Sequence, residues 1–196
     1  MADPTRLTFP LVDLEALREL RAGEKVVIDG HVMGIRDATQ IAIFDHGRAP
    51  RMDLRGAAAI HTAPNVRRLA DGRYEKVCIG TTTSARMDRF TPGMMGQYGV
   101  RAIIGKGGLL PGSLPVLSEF GGVYLAITGG AAALETTQIE EIEDVEFEDL
   151  IPECLWRFRV RDFGPLTVAM DSHGESLYEN VMKGARKRLA ELSKKL

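Results

Sequence analysis

VRAIIGKGGLLPGSLPVLSEFGGVYLAIT, residues 100–128, contains the alternation that decides the fold. The apolar run AIIG passes into the glycine turn GKGG, a helix-compatible piece runs from Pro111 to Phe120, and a second apolar run, VYLAIT, follows the next glycines. Short aliphatic runs bounded by glycine suit strands covered on both faces, and a helix between two of them suits a crossover connection. The pattern predicts an α/β domain with a parallel or mixed sheet.

The same punctuation extends upstream. VCIG at 77–80 reads as another strand, followed by a helical piece from Pro92 to Tyr98 with Gly99 as its stop. KVVIDGHVMGI at 25–35 reads as two β-rich runs around Asp29-Gly30, a dipeptide favoured in tight hairpins. The following RDATQIAIFDH is open between a helix start and a loop. GAAAIHTAP suits a short strand stopped by Pro64, and NVRRLADGRYE a surface loop. At the N-terminus, Asp13 is a candidate cap for a short helix with Leu14, Leu17 and Leu20 that closes at Gly23, so residues 1–22 read as a short extension.

Downstream, GGAAALETTQIEEIE reads as a helix with an acidic end, and WRFRV and LTVAMD as two strands, the second ending at the turn Ser172-His173-Gly174. The tail, residues 176–196, carries Leu177, Val181, Ala185, Leu189 and Leu192 at helical spacing with lysines and arginines opposite. An amphipathic C-terminal helix is expected, its charged side a solvated face or, alternatively, a partner-binding one.

A chain of 196 residues, 44% hydrophobic, suits one domain around a single core. Its 25 basic and 27 acidic residues leave a net charge of -2, which provides no global field for nucleic acid or an anionic membrane, so anion binding has to be local. The apolar stretch 121–134 is too short and glycine-rich to cross a bilayer, and a cytoplasmic protein without nucleic-acid or membrane partners is expected. Cys78 and Cys154 stand outside any CxxC or Cys/His cluster, and His31, His46, His61 and His173 show no ligand spacing; no metal site within this chain is expected.

Three strand-to-loop junctions carry the chemical content: VCIG into TTTSAR, AIIG into KGG, and AIT into GGAAA. Ligands collect beyond the carboxyl ends of strands in α/β sheets, where backbone amides converge, so the junctions suggest one shared anion pocket. In TTTSAR the hydroxyls can donate to an anionic oxygen and Arg86 offers a planar fork for a carboxylate; a capped helix start with Arg86 merely exposed is the plain alternative. GKGG lacks the spacing and the Ser or Thr of a Walker A loop, which disfavours nucleotide binding and leaves either a small-ligand turn with Lys106 as a point charge or an ordinary glycine turn. Arg36-Asp37 suits an arginine aimed into a cleft by its neighbour, or a surface ion pair.

Taken together and in order, IRDA, HTAP, GTTTSARMD, IIGKGG, GGAAAL, DFGPLTVAMDSHG and Leu177-Tyr178-Glu179 resemble the β subunit, or fused C-terminal domain, of the iron-sulfur class I fumarate hydratases and L(+)-tartrate dehydratases. The likeness spans about Gly23 to Asn180, and HTAP and QIEEIE look nearer to the tartrate dehydratase β subunit. The resemblance implies a swivelling β/β/α domain. It also implies a hydro-lyase acting on a C4-type dicarboxylic acid, with L-tartrate to oxaloacetate and malate to fumarate as leading reactions. A four-iron, four-sulfur cluster would be held by the cysteines of an α subunit, in an α2β2 assembly. Residue by residue, it assigns Arg36, Arg86 and Lys106 to the substrate carboxylates and Thr82 to proton transfer. The chain departs from the family at RDATQ, where Gln40 stands in place of an expected histidine; a glutamine can hydrogen-bond but cannot titrate. A non-catalytic anion-binding or regulatory module derived from such a subunit is the alternative.

Overall fold

The computed structural model describes residues 3–128, 130 and 134–194. Nine strands are described: β1 (Thr5–Phe9), β2 (Lys25–Ile35), β3 (Ala58–His61), β4 (Asn65–Arg68), β5 (Tyr74–Cys78), β6 (Ala102–Gly105), β7 (Val123–Ala126), β8 (Ile139–Glu146) and β9 (Leu155–Met170). The helices are α1 (Glu15–Arg18), α2 (Asp37–Phe44), α3 (Thr91–Gly96), α4 (Ser113–Phe120) and α5 (Leu177–Ser193).

Seven strands pair in the order β1-β2-β3-β6-β7-β9-β8, and β2 also pairs with β9. The second pairing joins the sheet to itself, so β2, β3, β6, β7 and β9 close into a barrel and leave no free edge among them. Of the parallel or mixed sheet expected from residues 100–128 the mixed form is present: β2, β3, β6 and β7 run parallel, while β9 is antiparallel to β2, β7 and β8.

Alternation along each strand separates two apolar layers. Val32, Ala58, Ile60, Ala102, Ile104, Val123 and Leu125 join Trp156 and Phe158 in one cluster. Their neighbours Met33, Ile35, Ala59, Ile103 and Tyr124 pack with Met94, Met95 and Leu117 of α3 and α4 in the other. Burial on both faces explains why these strands read as unbroken apolar runs. Burying a side chain such as Leu or Ile contributes about 1.5–3 kcal/mol, so the two layers hold the barrel and its helical cover as one unit.

Several expectations need correction. The N-terminal segment is no appendage: β1 pairs in parallel with β2, and Leu7, Phe9, Leu17 and Leu20 are buried. Asp29-Gly30 makes no hairpin, because β2 runs straight through it. The register with β9 shifts there, and Gly30 sits at φ +90 with a Cβ position 2.1 Å from the Phe9 carbonyl oxygen, so the glycine marks a bulge under β1. NVRRLADGRYE is a hairpin, β4 and β5, turning at Asp71-Gly72. VCI ends in this two-stranded sheet rather than in the barrel. QIEEIE is strand β8 and not the acidic end of a helix, since its glutamates find arginine partners across the ladder, among them Glu141 and Glu143 with Arg159. Most of the helix expected over GGAAAL lies outside the described residues. WRFRV and LTVAMD are the two halves of one 16-residue strand, β9, which bends around the barrel.

RDATQIAIFDH resolves into helix α2. The C-terminal helix is present as α5, capped by the Ser176 hydroxyl accepting from the Glu179 amide. None of its described residues is buried; Val181, Leu189 and Leu192 are 71%, 65% and 60% exposed, so its apolar stripe faces outward as much as its charged one.

Candidate active site

Because β2, β3 and β6 run parallel, their carboxyl ends lie on one rim, and the chain leaves that rim as Arg36, Thr62 and Lys106. Arg36 is extended, at φ -145, and precedes the first turn of α2. Its Nε lies 3.3 Å from Asp37 Oδ2 and 3.4 Å from Glu153 Oε1. Glu153, in the turn before β9, also accepts the Ala38 amide at 2.8 Å, and the Thr39 hydroxyl donates to its carbonyl. One carboxylate thus satisfies an orphan donor of α2 and holds the arginine beside it.

The segment TTTSARMDRF is fastened to the end of β3. The Thr82 amide donates to the His61 carbonyl at 2.8 Å, the Thr81 hydroxyl donates to the same oxygen at 3.1 Å, and the Thr62 hydroxyl donates to the Gly80 carbonyl at 2.6 Å. A 3-10 turn follows from Ser84 to Phe90, and Thr83 precedes it without a side-chain cap. Ser84 is no cap either: it is fully buried, with Oγ 2.9 Å from His61 Nδ1 and 3.0 Å from the Tyr124 hydroxyl.

Arg86 projects back across the rim. Its Nη2 and Nε donate to Asp37 Oδ2 and Oδ1 at 2.7 and 3.2 Å, a two-pronged pair, and Nη2 lies 3.5 Å from the Thr82 hydroxyl. Lys106 is tied to the same turn through its backbone. Its amide donates to the Thr82 carbonyl at 3.4 Å, and its own carbonyl accepts from the Ser84 amide at 3.0 Å. Among the described residues the Lys106 ammonium has no ion pair or hydrogen bond.

All four residues read from the sequence therefore come together at one rim, drawn from the end of β2, the TTTSAR junction and the KGG junction. Two acids that the motifs did not single out as site residues, Asp37 and Glu153, pair with the arginines: Asp37 with both and Glu153 with Arg36. Hydrogen bonding from Arg86 holds the Asp37 carboxyl below its usual range against the opposing effect of burial, with Arg36 adding to the effect; the same contact raises Arg86. His61 is driven to about 4 by burial, and remains neutral at pH 7. Arg36 and Arg86 are 31% and 49% exposed, which puts the cluster on open surface rather than in a closed pocket. The excess positive charge and forked donors suit binding of a carboxylate-bearing anion. The third junction, GGAAA, lies mostly outside the described residues. Gln40 is buried in α2 next to this rim, and its side-chain nitrogen has no partner among the described residues.

Nothing in the described residues fits an iron-sulfur cluster. No group of three His, Cys, Asp or Glu side chains converges, and burial pushes the Cys154 thiol up to about 11, away from the thiolate such a cluster needs.

The profile described as Fumarase C-terminus matches residues 6–181. The chain belongs to the fumarase C-terminus family. This fumarase C-terminus chain is 37% identical over 172 residues to the L(+)-tartrate dehydratase subunit beta of Escherichia coli (strain K12), covering 87% of the chain and 85% of the relative. It is 39% identical over 186 residues to a Geobacillus stearothermophilus protein named "Putative fumarate hydratase class I", covering 94% of the chain but 35% of that protein's length. A Methanocaldococcus jannaschii protein named "Putative L(+)-tartrate dehydratase subunit beta" matches at 35% over 190 residues, 97% of its length. No helix among the described residues of the fumarase C-terminus chain is long and apolar enough to cross a membrane.

The acids of the site leave a signal that sequence reasoning uses only in part: Asp37 is legible as an anchor for Arg36, and proves to anchor Arg86 as well. His61, Ser84 and Tyr124 leave none, because their meeting depends on the order of β3, β6 and β7 in the barrel.

Proposed function

We propose that this chain is the β subunit of an iron-sulfur-dependent hydro-lyase that adds or removes water across a C4-type dicarboxylic acid, L-tartrate or malate foremost. The observation that carries the reading is the meeting of Arg36, Thr82, Arg86 and Lys106 on one rim. The names of the relatives support the reaction class and an α subunit partner. The open rim and the outward apolar stripe of α5 support a site completed by another chain, in an α2β2 assembly, against which this domain swivels as a unit. The cluster belongs in this reading to the α subunit and supplies Lewis acidity when bound.

For this chain's own residues, removal of a proton beside a carboxylate spreads negative charge onto that carboxylate. Cations already fixed around it stabilise that charge without reorganising. Asp37 fixes Arg36 and Arg86 through one carboxylate, so both forks hold their positions before substrate arrives. Thr82, within reach of the Arg86 guanidinium, is assigned to proton transfer at the carbon next to the hydroxyl-bearing one; a neutral hydroxyl needs a stronger base beside it, supplied by the α subunit. A second reading, a non-catalytic anion-binding or regulatory module, draws on Gln40, which cannot titrate.

The test is coexpression with a cysteine-bearing α subunit under anaerobic conditions, cluster reconstitution, and assay of L-tartrate, malate and citramalate dehydration. Turnover of at least one acid is expected. An assembled, cluster-loaded complex inert toward a broad dicarboxylate panel would overturn the enzymatic reading in favour of the second.

A further inference from the structure

Behind the rim lies a buried polar chain that the proposed chemistry does not use. The Gly108 amide donates to the Tyr124 hydroxyl at 3.3 Å, that hydroxyl donates to Ser84 Oγ at 3.0 Å, and Ser84 Oγ lies 2.9 Å from His61 Nδ1. Ser84, Tyr124 and His61 are 0%, 0% and 2% exposed. Burial keeps His61 neutral, so one ring nitrogen donates and the other accepts, and the Ser84 hydroxyl can serve Nδ1 in either role while accepting from Tyr124.

Each member of the chain belongs to a different part of the rim. His61 ends β3, and its carbonyl holds Thr81 and Thr82. Ser84 lies between Thr82 and Arg86, and its amide holds the Lys106 carbonyl. Tyr124, on β7, holds the amide of Gly108, two residues beyond Lys106. The packing leaves no slack: a Cβ on Gly105 would lie 1.9 Å from Ser84 Oγ and 3.0 Å from the Tyr124 hydroxyl, and one on Gly107 would lie 3.3 Å from the Thr83 methyl.

We propose that the His61–Ser84–Tyr124 chain is a positioning network that sets the distance between the Thr82–Arg86 turn and the Lys106 turn, and so the geometry in which they meet a dicarboxylate. The proposal rests on the assignment of those residues to the site. Its members touch no substrate: they act through Thr82 and Lys106, and Ser84 is the hub because it alone bonds to both other side chains. A network of this kind behaves as one unit, so removing the hub should make further removals inconsequential.

The experiment compares Ser84→Ala, Tyr124→Phe and the double variant in the reconstituted complex with the α subunit. Hydrogen exchange at the backbone amides of positions 82, 84 and 106 is measured alongside. The expected result for Ser84→Ala is a kcat at least tenfold lower with KM within threefold, and exchange at these amides at least tenfold faster while the β4 and β5 hairpin is unchanged. Tyr124→Phe should fall between parent and Ser84→Ala, and the double variant should match Ser84→Ala. A folded Ser84→Ala variant with kcat within threefold of the parent overturns the proposal, as does a double variant whose losses multiply. Should the parent complex turn over no dicarboxylate, that result counts against the proposed function, and exchange alone decides the network: unchanged exchange at Thr82 and Lys106 overturns it.

Discussion

Lowering the pH should load two buried groups in opposite directions. His61 has its ordinary 6.5 pushed down to about 4 by burial, so between those values the unfolded chain binds a proton that the native one refuses. Its contribution to stability is fully present above pH 6.5 and is lost as the pH falls to about 4. Glu135 is the reverse case: burial pushes its carboxyl from 4.5 up to about 7, and its Oε2 has no partner among the described residues. There the native state holds the extra proton, so the contribution is present below pH 4.5 and is lost as the pH rises to about 7. At 1.36 kcal/mol per pH unit each gap amounts to about 3 kcal/mol, of opposite sign over pH 4.5–6.5. The parent should therefore show a shallow dependence in that window. Urea unfolding at pH 4.5, 5.5, 6.5 and 7.5 separates the two, with groups shared by parent and variant cancelling in the difference. His61→Asn keeps a polar group near Ser84 but cannot titrate, and should lose stability relative to the parent as the pH rises. Glu135→Gln should gain relative to the parent over the same range. If the His61→Asn profile runs parallel to the parent's within about 0.5 kcal/mol, the histidine is not held neutral by burial and the reasoning fails.

On the proposed function, Arg86→Ala and Lys106→Ala should each lower kcat/KM of the reconstituted complex by about 2 kcal/mol or more, since each removes a positive charge assigned to the developing anion; unchanged kinetics in either variant removes that residue from the site. Gly105→Ala drives a methyl to within 1.9 Å of a fully buried serine hydroxyl, and overpacking of that kind costs about 1–3 kcal/mol. A fall in Tm of roughly 2–4 °C per kcal/mol should be seen by calorimetry, and a Tm equal to the parent's contradicts the close packing of that turn.

The parts of the fold legible in sequence are those whose signal is local. β6, α4 and β7 announce themselves through apolar runs and Gly121, which closes α4 in the left-handed region. The strand at residues 25–35 is recognisable but misleading at Asp29-Gly30, because a positive-φ glycine marks a hairpin and a bulge alike and only the strand lying over it distinguishes them. QIEEIE reads as helix because charged residues at that spacing suit an exposed helix face; Arg157, Arg159 and Arg161 on β9 make the same spacing suit a strand. At the rim, Arg36, Thr82, Arg86 and Lys106 are legible as residue types suited to an anion. Their shared carboxylate, Asp37, is legible only as a neighbour of one of them.

The sequence by itself determined an α/β class, a family, and a set of cationic and hydroxyl side chains placed just after strands, since chain chemistry and punctuation are carried residue by residue. Tertiary structure decided which of these groups meet. The pairing of β2 with β9 closes the barrel, and parallel β2, β3 and β6 bring residues 36, 82 and 106 to one rim. Distances across strands depend on register and closure, which no single segment encodes. For the same reason the buried contact of His61, Ser84 and Tyr124, three residues unremarkable in their own stretches, exists only once the barrel has formed.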